Sequence, residues 1–196
     1  APPRRSGRSP QGRDMHRRSV LAALPALFLP VMAGAHSPWG QYAVYRQKHL
    51  LVLSTRDDLA SYPYSKLLVE AINRTAPEAS ARPARAKNLQ RAYDLLRTAQ
   101  FQFALLSSGN VDAMRTATGP FAEGAPVPLK TVYLFAELEF VVRSDFPENL
   151  VSIVTHALLA GLDALPDAKG PMEVLQTSAL HSGARNAIED FVIRQN

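Results

Sequence analysis

The 196-residue chain contains no cysteine. That excludes disulfides, thiol nucleophiles and thiolate metal sites, so the fold must rest on its apolar core alone. Long apolar runs are also lacking. The clearest, Val20 to Met32, spans 13 residues and is interrupted by Pro25 and Pro30, whereas a membrane-crossing helix needs about 20. Enzyme signatures are missing as well: there is no P-loop, no G-x-S-x-G, no H-E-x-x-H and no glycine-rich dinucleotide turn. The expectation is a protein that is not an enzyme.

The charge balance at first points the other way, toward anionic partners. The formal charge is +5 and the pI about 9.7. The excess is local, however. Residues 1–35 hold six arginines (Arg4, Arg5, Arg8, Arg13, Arg17, Arg18) and one acid, Asp14, so 16 basic and 16 acidic residues remain from His36 onward. A balanced domain has no net charge with which to gather phosphates, which excludes nucleic acid as the expected partner.

What is present begins at Met15. The stretch "MHRRSVLAALPALFLPVMAGAH" has a basic head, the apolar run and an A-x-A step at Ala33–Ala35. That three-part build is a secretory signal peptide, and "RRSVL" is similar to a twin-arginine export signal. The expected organisation is therefore upstream residues and a cleaved signal over 1–35, then a single exported domain over 36–196 that begins at His36. Its 161 residues suffice for one domain. The expected location is the periplasm, with no membrane span in the mature protein.

Along that domain, 36–49 reads as an arm carrying Trp39, Tyr42 and Tyr45, and "HLLVLS" (49–54) as a strand buried on both faces. Tyr64, Leu67, Leu68, Ala71 and Ile72 have the spacing of an amphipathic helix. "ASARPARA" (79–86) reads as an edge strand because of Pro83. Leu89, Ala92, Tyr93 and Leu96 predict a second helix, and "FQFALLSS" (101–108) a strand that runs into a polar turn at Gly109. Residues 118–130 read as a crossing loop, and 130–145 as strand, divided near Ala136–Glu139. Leu150, Val151, Val154, Ala157 and Leu158 line a helix that Gly161 ends, and Ala187, Ile188, Phe191 and Val192 line a last one. Alternating strands and helices predict an α/β fold, a single lobe with a mostly parallel sheet flanked by helices.

Several of these stretches, in this order, resemble one family. They are "LASYPYSKLLVEAIN", "KNLQRAYDLLRTAQFQFALLSSGNVDAM", "TGPFAEGAPVPLKTVYLF", "VVRSDFPENLVSIVTHALLAG" and "LHSGARNAIEDF" with its His-x-Gly-Ala step. Together they are similar to the TAXI-type solute receptors of tripartite (TRAP) transporters. The likeness covers most of residues 50–192. It implies a type 2 periplasmic binding-protein-like fold and a role in transport, as a solute-binding or accessory protein. Such receptors are about twice as long, so it implies one lobe of a two-lobed clamp, and a single lobe offers half a pocket. The glycine pair usual before the first helix is replaced here by "RDDLAS".

Two sets of residues are candidates for binding. Ser54, Thr55 and Arg56 end the first strand, and Tyr62, Asn88, Ser107 and Ser108 are expected at the same carboxyl edge, where α/β sheets bind ligands. Arg56 suits a carboxylate held by two parallel hydrogen bonds. The expected partner is a small carboxylate or amino-acid-like solute, or a periplasmic or membrane transporter protein. Against this stand structural roles: Asn88 as a helix cap, Asp58 and Ser61 capping helices or turns, and the serines satisfying backbone groups. The second set is metal-binding. A free amine at His36 and its Nδ1 can chelate copper, with His49, His156 or His181 completing a nitrogen site, and this gives an alternative function as an exported copper-binding protein. No other cofactor is expected. Glu137 and Glu139 alternate along a strand and read as the solvated face of an edge.

Overall fold

The structure is a computed structural model that describes residues 48–195. The expected export signal, Trp39, Tyr42 and Tyr45 of the expected arm, and His36 lie outside the described residues. The described residues belong to one compact unit.

Five strands make one sheet: β1 (Leu51–Thr55), β2 (Arg82–Ala86), β3 (Phe103–Ser107), β4 (Leu129–Phe135) and β5 (Leu138–Arg143). Their order is β2-β1-β3-β5-β4. β1 pairs in parallel with β2 and β3, while β5 is antiparallel to both β3 and β4. The sheet is thus mixed rather than simply parallel, because residues 130–145 fold as a hairpin about Ala136, whose φ is 38°. Four strands still run one way and β5 alone runs back. β2, with Pro83, is an edge as its sequence predicts.

Helices cover both faces, giving an α/β architecture. On one face lie α1 (Ser61–Thr75), α4 (Glu148–Ala160) and α6 (Ser182–Gln195), packed on Val52, Phe103, Leu105, Phe140 and Val142. On the other lie α2 (Leu89–Arg97) and α3 (Ser108–Thr116), packed on Leu53, Ala104, Leu106 and Val141. Neighbouring residues of one strand thus feed opposite cores, which is why β1 and β3 read as continuous apolar runs. A short α5 (Pro171–Leu175) precedes α6.

The helical faces differ in detail from their sequence expectation. In α1 the buried positions are Ser61, Ser65, Leu68, Val69, Ala71 and Ile72, so the core face is turned away from Leu67, which is 41% exposed. The polar turn expected at Gly109 is the start of α3. Glu139 lies on an internal strand, not a solvated edge. It is 4% exposed and takes Arg115 as partner through both carboxylate oxygens, with Thr131 donating to Oε1 at 2.6 Å. Glu137 is exposed in the hairpin turn. Among the described residues no helix is long and apolar enough to cross a membrane.

Candidate functional site

The chain leaves β1 for β2 on one side and returns to β3 on the other, so the connections diverge between β1 and β3. Ligands of open α/β sheets lie at such a reversal, beyond the carboxyl ends of the strands. All of the predicted ligand residues belong to this end of the sheet, but they divide into two kinds.

The first kind is tied into the chain's own structure. Ser54 and Thr55 are fully buried. Ser54 Oγ donates to the Ala84 carbonyl at 2.9 Å, tying β1 to β2. Asn88 is a helix cap: its Oδ1 accepts from the Arg91 amide at 2.8 Å, as its structural reading predicts. Ser107 ends β3 as the residue before α3, and the Ser108 amide donates to the Glu137 carbonyl at 2.9 Å, closing the hairpin onto the helix.

The acids of the β1–α1 turn complete this arrangement. Asp57 accepts from the Leu89 amide at 2.7 Å, at the start of α2. Asp58, only 8% exposed, accepts from the Ser107 amide at the start of α3. Ser61 Oγ donates to the Asp58 carbonyl at 2.9 Å. A helix start attracts anions through its unpaired amides and dipole. Here the chain supplies its own carboxylates to two of them. Sequence reasoning gave Asp58 and Ser61 capping roles, but not the bonds from the Asp57 and Asp58 carboxylates across to other helices. The only prior signal was the pair itself, "DD", just after a strand.

The second kind points outward. Arg56 is exposed, and its amide donates to the Ala86 carbonyl, which places it alongside Lys87. Tyr62, half-buried, holds two cations against its ring: Lys66 Nζ at 4.8 Å and the Arg85 guanidinium at 4.7 Å from the centroid. Cations in such positions are attracted by the ring's quadrupole. Arg56, Tyr62, Lys66, Arg85 and Lys87 therefore share one basic corner, of which only Arg56 and Tyr62 were expected.

Of the expected metal set, His36 lies outside the described residues. His49 Nδ1 lies 3.1 Å from the Ser80 carbonyl, near the amino end of β1. His181 is buried, and its Nδ1 accepts from the Gly183 amide at 3.1 Å. Burial holds its pKa below the ordinary 6.5. His156 Nε2 lies 3.9 Å from Asp190 across the α4–α6 contact. Among the described residues, no group of three or more His, Asp or Glu could hold a metal ion.

A groove of about 640 Å³ opens at the amino ends of β1 and β3, lined by Leu50, Phe101, Phe103, Phe146 and Leu150 with His49. It contains none of the residues expected to bind a solute. Neither a protein-family model nor a curated protein matches the chain.

Proposed function

We propose that this is an exported, non-catalytic recognition protein of the periplasm: a single-lobe relative of the TAXI-type receptors, with a type 2 periplasmic binding-protein-like fold. It recognises anionic groups at the carboxyl edge of its sheet. The observation that carries this reading is the division of that edge. Asp57 and Asp58 are turned onto amides, whereas Arg56, Lys66, Arg85 and Lys87 are exposed, with Lys66 and Arg85 on the Tyr62 ring. Two of the amide clusters that would cradle a small carboxylate thus hold side chains of the chain itself. That favours a partner that meets the outward cations over a solute enclosed by backbone. Three parallel strands meeting at a β1/β3 reversal support the one-lobe reading.

The test uses protein purified after export, with intact mass reporting its first residue, His36 on this reading. At low salt, polyglutamate should raise the melting temperature by about 3 °C, the effect of roughly 1 kcal/mol of linkage in a domain of this size. Citrate should do less, and Arg56→Ala/Arg85→Ala should abolish the response. If polyglutamate leaves the midpoint unmoved, or moves the double variant equally, the reading is wrong.

A further inference from the structure

Charge that is balanced over the whole domain is not evenly spread. Residues 48–97, which build β1, β2, α1 and α2, hold nine Lys or Arg and five Asp or Glu; residues 98–195 hold six and eleven. α1 and α2 pack against β1 and β2, so the positive excess gathers at the β2 side of the sheet. Arg56, Lys66, Arg85 and Lys87 are all exposed, and none takes part in an ion pair among the described residues. The acids nearby include Asp57 and Asp58, both bonded to amides, Glu70, one turn beyond Lys66 on α1, and exposed Asp167, whose charge acts on Tyr64 of α1.

An apolar ridge runs through these cations. Leu59, Pro63 and Leu67 recur every fourth residue along the exposed side of α1 and the turn before it. Leu59 is 80% exposed and Leu67 41%. Tyr62 lies beside the ridge with Lys66 and Arg85 on its ring.

We infer that this corner docks on an anionic lipid surface. The inference rests on the recognition reading above and names the partner. A soluble anion would use the cations and leave Leu59 without a role. A bilayer uses both: headgroup phosphates meet Arg56, Lys66, Arg85 and Lys87, while Leu59 and Leu67 enter the boundary of the acyl region. Tyr62 then stands at headgroup depth, where amphipathic rings collect. The basic side of the charge asymmetry faces the surface, which sets the orientation.

The experiment is co-sedimentation of the protein purified after export, beginning at His36, with phosphatidylcholine vesicles, with and without phosphatidylglycerol. Binding is expected only with phosphatidylglycerol, and raised salt should weaken it. Each cation near the surface strengthens association by roughly fivefold, so Arg85→Glu/Lys87→Glu should weaken it by at least about 25-fold. Leu59→Ser/Leu67→Ser should weaken it by roughly tenfold or more, while leaving the polyglutamate response intact. These two leucines are exposed, and an unchanged melting temperature verifies the fold of that variant. Absence of phosphatidylglycerol-dependent binding overturns the inference. So does full binding by the leucine variant, which would assign the corner to an acidic protein or another soluble polyanion. If the polyglutamate response persists while vesicle binding is absent, the recognition reading stands without the lipid partner; loss of both removes both.

Discussion

His181 shows how one side chain couples the fold to pH. Its Nδ1 accepts the Gly183 amide at 3.1 Å, in the first turn of α6, so the ring does what a capping oxygen does. Burial, the largest influence, pushes its pKa down, with Lys130 adding to the effect, while the Phe146 carbonyl and Glu148 oppose it. The folded state therefore favours the neutral ring. In the unfolded chain the group titrates near its ordinary 6.5. Below that pH the unfolded state binds more protons, and stability falls with falling pH; above it the contribution is complete. One proton limits the slope to about 1.4 kcal/mol per pH unit. The urea midpoint should accordingly drop between neutrality and the folded pKa. His181→Asn keeps an acceptor for the amide and removes the titration, so its midpoint should change less over the same range. Equal slopes would disprove the coupling. Asp145 titrates in a separate, more acidic window, because the hydrogen bonds and charge of Arg143 hold its carboxyl below the usual 3.8.

Among the elements, α4 and α6 are held close by a glycine. A Cβ on Gly183 would lie 2.2 Å from the Glu148 carbonyl oxygen and 3.1 Å from the Ser152 amide, both backbone atoms that cannot swing aside. Gly183→Ala must push the helices apart, at a cost of about 2–3 kcal/mol. Gly109, inside α3, has nothing within 4 Å of its Cβ position. Gly109→Ala should therefore stabilise by roughly 0.5–1 kcal/mol through helix propensity. Chemical denaturation of the two variants should give opposite signs, and a neutral Gly183→Ala would refute the packing argument. The His-x-Gly-Ala step was visible in the sequence, but its cause was not, since Glu148 lies far from it along the chain. The same distinction runs through the fold. β1, β3 and α4 were legible because their apolar runs report burial locally. α3 was not, because only Val111 and Met114 are buried in it and "SSGN" imitates a turn. Glu139 was misplaced because its partner Arg115 lies 24 residues away. At the candidate site, the carboxyl-edge position of Arg56 and Tyr62 could be read, whereas the amides held by Asp57 and Asp58 lie 32 and 49 residues further on.

For the molecule as a whole, net charge is a poor guide to behaviour. From His36 onward basic and acidic residues balance at 16 each, yet the basic excess of residues 48–97 sits on β1, β2, α1 and α2. Within a Debye length of about 8 Å at physiological salt, a surface responds to the nearest charges rather than to the total. A balanced protein of this kind should be retained by a cation exchanger at neutral pH and low ionic strength, with its basic corner against the matrix. Position should then matter more than sum. Arg85→Glu/Lys87→Glu and Lys130→Glu/Arg194→Glu change the total charge equally, and all four residues are exposed. The first pair removes the contact face, so its elution should move to much lower salt, whereas the second lies outside that face and should elute close to the parent. The comparison uses protein beginning at His36, so that the arginines of residues 1–35 do not contribute to retention. Equal displacement of the two variants would mean that the charges act as a sum, and the oriented docking inferred for this domain would lose its electrostatic basis.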